Sequence, residues 1–222
     1  MELLFSVMKN LLIVAKYDED ISWVDNLNCD VIIYNKGEDL DPKYNAIKLE
    51  NYGRETETYL RAICALYEKI KNEYDHVTFL QGHPFDHFGD VLSLLPDEKR
   101  QYAYPIPIPG KDTVWVSVNQ IGYAFKTGNN YFYDNSICDE IYWLILRETL
   151  SKLRLPWYGV FIDYPGAQFI IPKKYIVSKS LEWWGNAYSV FDCAERNSYK
   201  ETGYPGMPYV FERLWHTIWT HY

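Results

Sequence analysis

The feature that most constrains this chain is the way short unbroken apolar runs, in its first half, give way to one long segment of helical period and then return. "LLIVA" (Leu11 to Ala15) and "VIIYN" (Val31 to Asn35) have strand length and few polar interruptions, and "AIKLEN" (Ala46 to Asn51) is a weaker third run. "GRETETYLRAICALYEKIKN" then changes period: Leu60, Ile63, Tyr67 and Ile70 recur at three and four residues and form one helical face. Glu55 and Glu57 stand in its first turn and Lys69 and Lys71 in its last, the polarity that the helix dipole favours. "HVTFL" (His76 to Leu80) returns to a strand. Runs this apolar suit strands buried on both faces, so the pattern predicts an α/β fold with a mainly parallel sheet.

In such sheets the ligand crevice lies beyond the C-terminal ends of the strands. Three loops are thereby expected to meet: "KYDEDISW" after the first strand, "NKGED" after the second and "QGHPFDH" after the fourth. The last releases His83, Asp86 and His87, three potential ligands in a chain with only five histidines. A carboxylate and imidazoles on a tight loop offer mixed oxygen and nitrogen ligands for Mn, Zn or Mg. The same residues also serve as turn formers that bond nearby backbone amides. In "YDED", Tyr17 is able to stack on a base while Asp18, Glu19 or Asp20 accepts from ring nitrogens or ribose hydroxyls. The alternative is a capped acidic turn ahead of Trp23.

Two further clusters carry charge in a telling place. In "NYGRE", Gly53 precedes a helix start that favours anions, and Arg54 adds a bidentate donor for phosphate. Glu55 and Glu57 in the same turn would repel a diphosphate unless a cation intervenes. In "FERLWH", Glu212 and His216 lie four apart on one helical face, where Glu212 is either a general base for an incoming hydroxyl or half of an ordinary surface pair with His216 or Arg213.

The middle of the chain is less regular. "YPIPIPGKD" carries alternating prolines, which lack a ladder donor and suit an extended edge or lid. "TVWVSVNQ" alternates like a half-exposed strand, and "FKTGNNYFY" reads as a hairpin turning at Gly128-Asn129-Asn130. "SICDEIYWLILRETLSKL" is a helix with Ser136 as its N-cap and Pro156 beyond its end. A strand "YGVFI", the segment "PGAQFIIPKKYI" and an aromatic helical stretch from Leu181 to Phe191 follow. The last helix carries Phe211, Leu214, Trp215, Ile218 and Trp219 as an apolar stripe.

Composition narrows the partners. A formal net charge of −8 leaves no cationic field for polymeric DNA or RNA. Twenty-one Tyr, ten Phe and eight Trp give 18% aromatic residues, rings that either fill a core or stack on bases and sugars. Cys29, Cys64, Cys138 and Cys193 are far apart, as expected of reduced cytosolic thiols. The N-terminal "MELLFSVMKN" starts acidic and lacks a small-residue cleavage site, so it reads as a leader to the first strand rather than a signal peptide, and no transmembrane segment is expected. A cytoplasmic single domain over 1–222 is the expectation.

Taken in order, "VAKYDEDISWV", "VIIYNKGE", "NYGRETETYLRAI", "VTFLQGHPFDH", "GAQFIIPKKYI" and "FERLWHTIW" resemble a family of small proteins related to the GT-A glycosyltransferases. The resemblance covers most of the chain, and the region from about Asp97 to Leu155 matches least. It implies a GT-A-like, Rossmann-related sheet with a nucleotide-binding half over about 10–95. An acceptor half, with a smaller β element and a C-terminal helix, takes about 96–222. It implies transfer of a sugar from a nucleotide-sugar donor to a hydroxyl acceptor such as a glycan, with inversion if Glu212 is the base. Carried over residue by residue, Tyr17 and Glu19 fall at the nucleotide and Arg54 near the diphosphate. Gln81 and Gly82 fall at the substrate, and Gly166, Ala167 and Gln168 on the acceptor side. The family's DxD position is taken here by "GHPFDH", which contains no DxD. A divalent cation (Mn or Mg) would there depend on Asp86 with His83 or His87, with His216 or His221 as a further C-terminal ligand, or metal binding would be absent altogether. Two alternatives accompany this reading: a non-catalytic nucleotide- or carbohydrate-binding protein on the same fold, and a metal-dependent hydrolase using His83, Asp86 and His87.

Overall fold

The apolar runs become strands that overrun their predicted ends by a residue: β1 is Asn10–Lys16, β2 is Asp30–Asn35 and β4, after the helix, is His76–Gln81. The computed structural model describes residues 9–86, 89, 91–95, 116–117, 123–126, 140–156, 160–163, 167–202 and 206–221. The proline-rich segment, the predicted 128–130 turn, Ser136 and Cys138 lie outside them. The weak third run yields only β3, Ala46–Lys48, an edge strand with all three residues exposed. With no neighbour on its outer side and no core beneath, nothing extends it. The amphipathic segment is α1, Arg54–Glu73, and buries Leu60, Ile63, Tyr67 and Ile70 as its period requires.

The rest follows as β5 (Val116–Ser117), β6 (Tyr123–Lys126), α2 (Glu140–Lys152), β7 (Val160–Asp163) and β8 (Phe169–Pro172). Three helices close the chain: α3 (Lys173–Val177), α4 (Leu181–Thr202) and α5 (Met207–Thr220). The main sheet runs β3-β2-β1-β4-β8-β5, and β6 and β7 form a separate antiparallel pair. The first four strands are parallel, whereas β8 is antiparallel to β4 and to β5. Strand order reverses at β1, which has β2 on one side and β4 on the other. That reversal opens a crevice at the C-terminal ends of β1 and β4.

The two faces of the sheet are covered differently. Leu11, Ile13, Tyr34, Val77 and Phe79 join the cluster that includes residues of all five helices. Leu12, Val14, Ile33 and Leu80 pack instead on Ile21, Val24, Val91 and Leu95, from short 3-10 turns. Much of the aromatic surplus is spent here rather than on a ligand. Trp215 and Trp219 stack with ring centroids 5.1 Å apart, Trp219 reaches Phe79 at 6.1 Å, and Trp184 closes on Trp219 at 5.7 Å. Among the described residues no helix is long and apolar enough to cross a membrane.

The turn into α1 depends on its backbone. Gly53 has φ +64°, and a Cβ there would lie 2.6 Å from Glu57 Cβ and 2.9 Å from the Phe191 ring. Gly53→Ala is expected to cost about 2–4 kcal/mol, combining left-handed strain with overpacking. A urea midpoint within error of wild type would refute this.

Two imidazoles make the fold acid-sensitive. Burial pushes His76, at the start of β4, down to about 4, and His216 on α5 down to about 4, from an ordinary 6.5. The folded state thus binds fewer protons than the unfolded chain between those values. Their contribution is constant above pH 6.5 and stability falls as pH drops toward 4. Urea midpoints measured across this range should decline, and His76→Gln should make the decline shallower.

Candidate functional site

The loops after β1, β2 and β4 and the head of α1 enclose a cavity of about 240 Å3. Lys16, Tyr17, Glu19, Lys36, Arg54, Glu55 and Gln81 line it. It sits at the strand-order reversal, where a parallel sheet offers its crevice. The loops close tightly because Gly37 allows it: a Cβ there would fall 1.9 Å from the Tyr17 carbonyl oxygen. Lys36 N–H donates to the Lys16 carbonyl and Gly82 N–H to the Ala15 carbonyl, so the ladder itself ties the three loop bases together.

The sequence-predicted residues separate into two groups. Tyr17, Glu19, Arg54 and Gln81 line the cavity together. Tyr17 is 46% exposed, its ring available to a ligand. Glu19 accepts the Tyr17 N–H at 2.7 Å and its carboxylate packs over Gly82, whose carbonyl accepts Trp23 Nε1 at 2.9 Å. Asp20 turns outward to bond Ser22 through backbone and hydroxyl, the capped-turn alternative for that residue. Arg54 has φ +50°, and its guanidinium reaches across to α5, donating to the Tyr209 hydroxyl at 2.6 Å with Nε 3.6 Å from Glu55 Oε2.

The second group lies away from this cavity's lining. His83 Nε2 is 3.3 Å from Asp86 Oδ1, and both side chains are largely exposed on the turn after β4. Gln168 is buried under that turn and donates to the Pro84 carbonyl at 3.3 Å, while Ala167 is fully buried with φ +45°. These positions brace the turn from below. His87 and Gly166 lie outside the described residues.

Glu212 comes closer than its place in the chain suggests. It sits half-buried on α5, 3.1 Å from Arg213 Nη1, and its charge acts on both Arg54 and Glu55. Glu55, almost enclosed, has its carboxyl pushed up by burial; Arg54 opposes that shift and Glu212 adds to it. A carboxyl that holds its proton more readily than usual, beside an arginine and a second carboxylate, is a group able to take or give a proton.

Sequence reasoning missed the two lysines. Lys36 is buried at the end of β2, with Nζ bonded to the carbonyls of Tyr52 and Arg54 and 3.0 Å from Glu57 Oε2. Burial pushes its ammonium down, and Glu57 opposes this. Glu57 is not a solvated dipole partner: it is buried among Lys36, Arg61 and Tyr188, whose hydroxyl donates to Oε1 at 3.1 Å. Lys16, equally buried, bonds the Tyr17 carbonyl. The available signals were Lys16 directly ending the apolar run of "LLIVAK" and Lys36 one residue beyond the run in "VIIYNK".

No family model matches the chain, and comparisons with curated proteins and with solved structures find no significant match.

Lys36→Met would leave Glu57 Oε2 without its cation, Oε1 keeping Arg61 and Tyr188, and would free two carbonyls, at an expected cost of about 3–5 kcal/mol. A urea double-mutant cycle with Glu57→Leu should give a double variant that loses less than the sum of the two single losses. Strict additivity would show that the pair is not coupled.

Proposed function

We propose that the chain is a nucleotide-sugar-dependent glycosyltransferase of GT-A-like architecture, with the donor's nucleotide diphosphate in the cavity at the ends of β1 and β4. The observation that carries this reading is the convergence, at the strand-order reversal, of an exposed Tyr17 ring with the cationic side chains of Lys16 and Arg54. Such a set offers a stacking face and donors for phosphate oxygens. The parallel β3-β2-β1-β4 half, continued through antiparallel β8 toward the C-terminal helices, also suits the architecture that the sequence resembles. A cavity of about 240 Å3 falls below the roughly 300–1,000 Å3 of a drug-sized site, so it takes the phosphate-bearing part of a donor rather than all of it.

The divalent cation that the resemblance implies does not fit the described residues. Among the described residues His83 and Asp86 supply two donors and face each other, His87 lies outside them, and no group of three His, Cys, Asp or Glu side chains that could hold a metal ion is found. No step is therefore routed through a metal here.

In transfer, the bond from the anomeric carbon to the diphosphate oxygen breaks and its electron pair leaves with the diphosphate. The acceptor oxygen forms the new bond, and its proton passes to a carboxylate. Glu212 is the assigned base, and Glu55 beside it shares the electrostatic environment. The net charge of −8 repels polyanions, while the cavity itself offers Lys16 and Arg54 to a small one.

The test is a thermal-shift panel of nucleoside diphosphates and nucleotide sugars, followed by product analysis. One base should raise the melting temperature, by about 5–10 °C at a hundredfold excess over Kd. Glu212→Gln should keep that shift while donor turnover falls about a hundredfold or more. Saturable binding with no hydrolysis or transfer would favour the binding-protein alternative, and the absence of any nucleotide binding would end the donor assignment.

A further inference from the structure

The described residues at the expected cation position offer two donors that face each other, whereas the cavity is lined by cations. We propose that the cavity binds the diphosphate of its ligand through protein cations alone, with Lys16 and Arg54 neutralising the charge that a divalent ion would otherwise carry. The inference rests on the reading of this cavity as a donor site.

Counting donors separates the three cationic side chains. The Lys36 ammonium donates to the carbonyls of Tyr52 and Arg54, and its charge is matched by Glu57 Oε2 at 3.0 Å, so it is committed to the helix head rather than to a ligand. Lys16 has one acceptor, the Tyr17 carbonyl, which leaves two N–H groups at the cavity wall. Arg54 commits Nη1 to Tyr209 and turns Nε toward Glu55, and the rest of its five-donor fork remains for an oxyanion. Lys16 ends β1 and Arg54 begins α1, so the two approach the cavity from different elements. A diphosphate between them meets a point charge on one side and a planar fork on the other.

The carboxylates of the cavity are engaged. Glu19 accepts the Tyr17 N–H, and Glu55 faces Arg54. Burial also favours the protonated form of Glu55, which lowers the repulsion that a diphosphate meets there. His83 and Asp86, the residues at the expected metal position, point to each other on an exposed turn and do not line the cavity. When the sugar–oxygen bond breaks, the electron pair moves onto the β-phosphate oxygen. Fixed cations at that oxygen stabilise the leaving group as a bound ion would.

Isothermal titration with nucleoside diphosphates and with inorganic pyrophosphate, once in EDTA and once in Mn, decides the matter. The expected result is binding in EDTA, with an affinity within about threefold of that in Mn. Lys16→Met and Arg54→Asn should each weaken it about tenfold or more, as loss of a charge-assisted contact does. Asparagine suits the left-handed backbone at 54, and the exposed Lys48→Met should leave binding unchanged. Binding that appears only with Mn overturns the proposal, whether or not the variants fold, and leaves the donor reading standing. Metal-free binding that survives both substitutions overturns it as well. Pyrophosphate binding that depends on Lys16 and Arg54, with no nucleotide bound, upholds the anion site and removes the nucleotide. If neither probe binds in either buffer, both readings fall.

Discussion

The geometry of the candidate site depends on one buried ion pair, Lys36 with Glu57. Lys36 directly follows β2 and Glu57 lies one turn into α1, so the pair fixes the helix head against the sheet at the point where the crevice opens. A buried pair taken alone is weak evidence for stability, because desolvating two charges offsets much of their attraction. Here the ammonium also satisfies the Tyr52 and Arg54 carbonyls in a turn where Gly53 and Arg54 both have left-handed backbone. The pair therefore specifies a conformation that local propensity would not choose. The carboxylate extends the network through Arg61 and Tyr188 to α4.

The rest of the site follows from that anchoring. With the turn held, the Arg54 guanidinium is carried to α5, where it meets Tyr209 by hydrogen bond and lies over its ring at 5.2 Å. Arg54 is thus a physical link between the β1–β4 crevice and the C-terminal helix. The same geometry brings the charge of Glu212 to bear on Glu55. Residues separated by most of the chain share one electrostatic neighbourhood, and the parallel sheet supplies the rigid floor beneath them.

The sheet was legible in the sequence because its physics is local. Continuous runs such as "LLIVA" are unusual for anything but a strand buried on both faces, and the spacing of Leu60, Ile63, Tyr67 and Ile70 admits little besides one helical face. The convergence of Tyr17, Glu19, Arg54 and Gln81 was legible for the same reason, since strand ends in such a sheet lie together. The positions of Lys16 and Lys36 at the ends of apolar runs were a signal, but their burial and that of Glu57 were not legible, because charge burial is decided by tertiary partners that no window of sequence contains. The aromatic surplus left two readings open, and both occur: Trp184, Trp215 and Trp219 fill the core, while Tyr17 presents its ring at the cavity.

On α5, Val210, Phe211, Leu214, Trp215, Ile218 and Trp219 are buried, while Tyr209, Glu212, Arg213 and His216 form a half-buried stripe at helical spacing. Polar side chains held at half-burial keep defined orientations without losing access to a bound hydroxyl. Tyr209 and Glu212 already interact with the head of α1, by hydrogen bond and by charge. On the proposed donor reading, a donor held by Lys16 and Arg54 would lie beside the residue that joins the crevice to this stripe, since Arg54 reaches Tyr209. The coupling has a chemical logic: an anion that draws on Arg54 weakens the hold of that arginine on Glu55. A carboxyl so released has a higher affinity for a proton when the donor is in place.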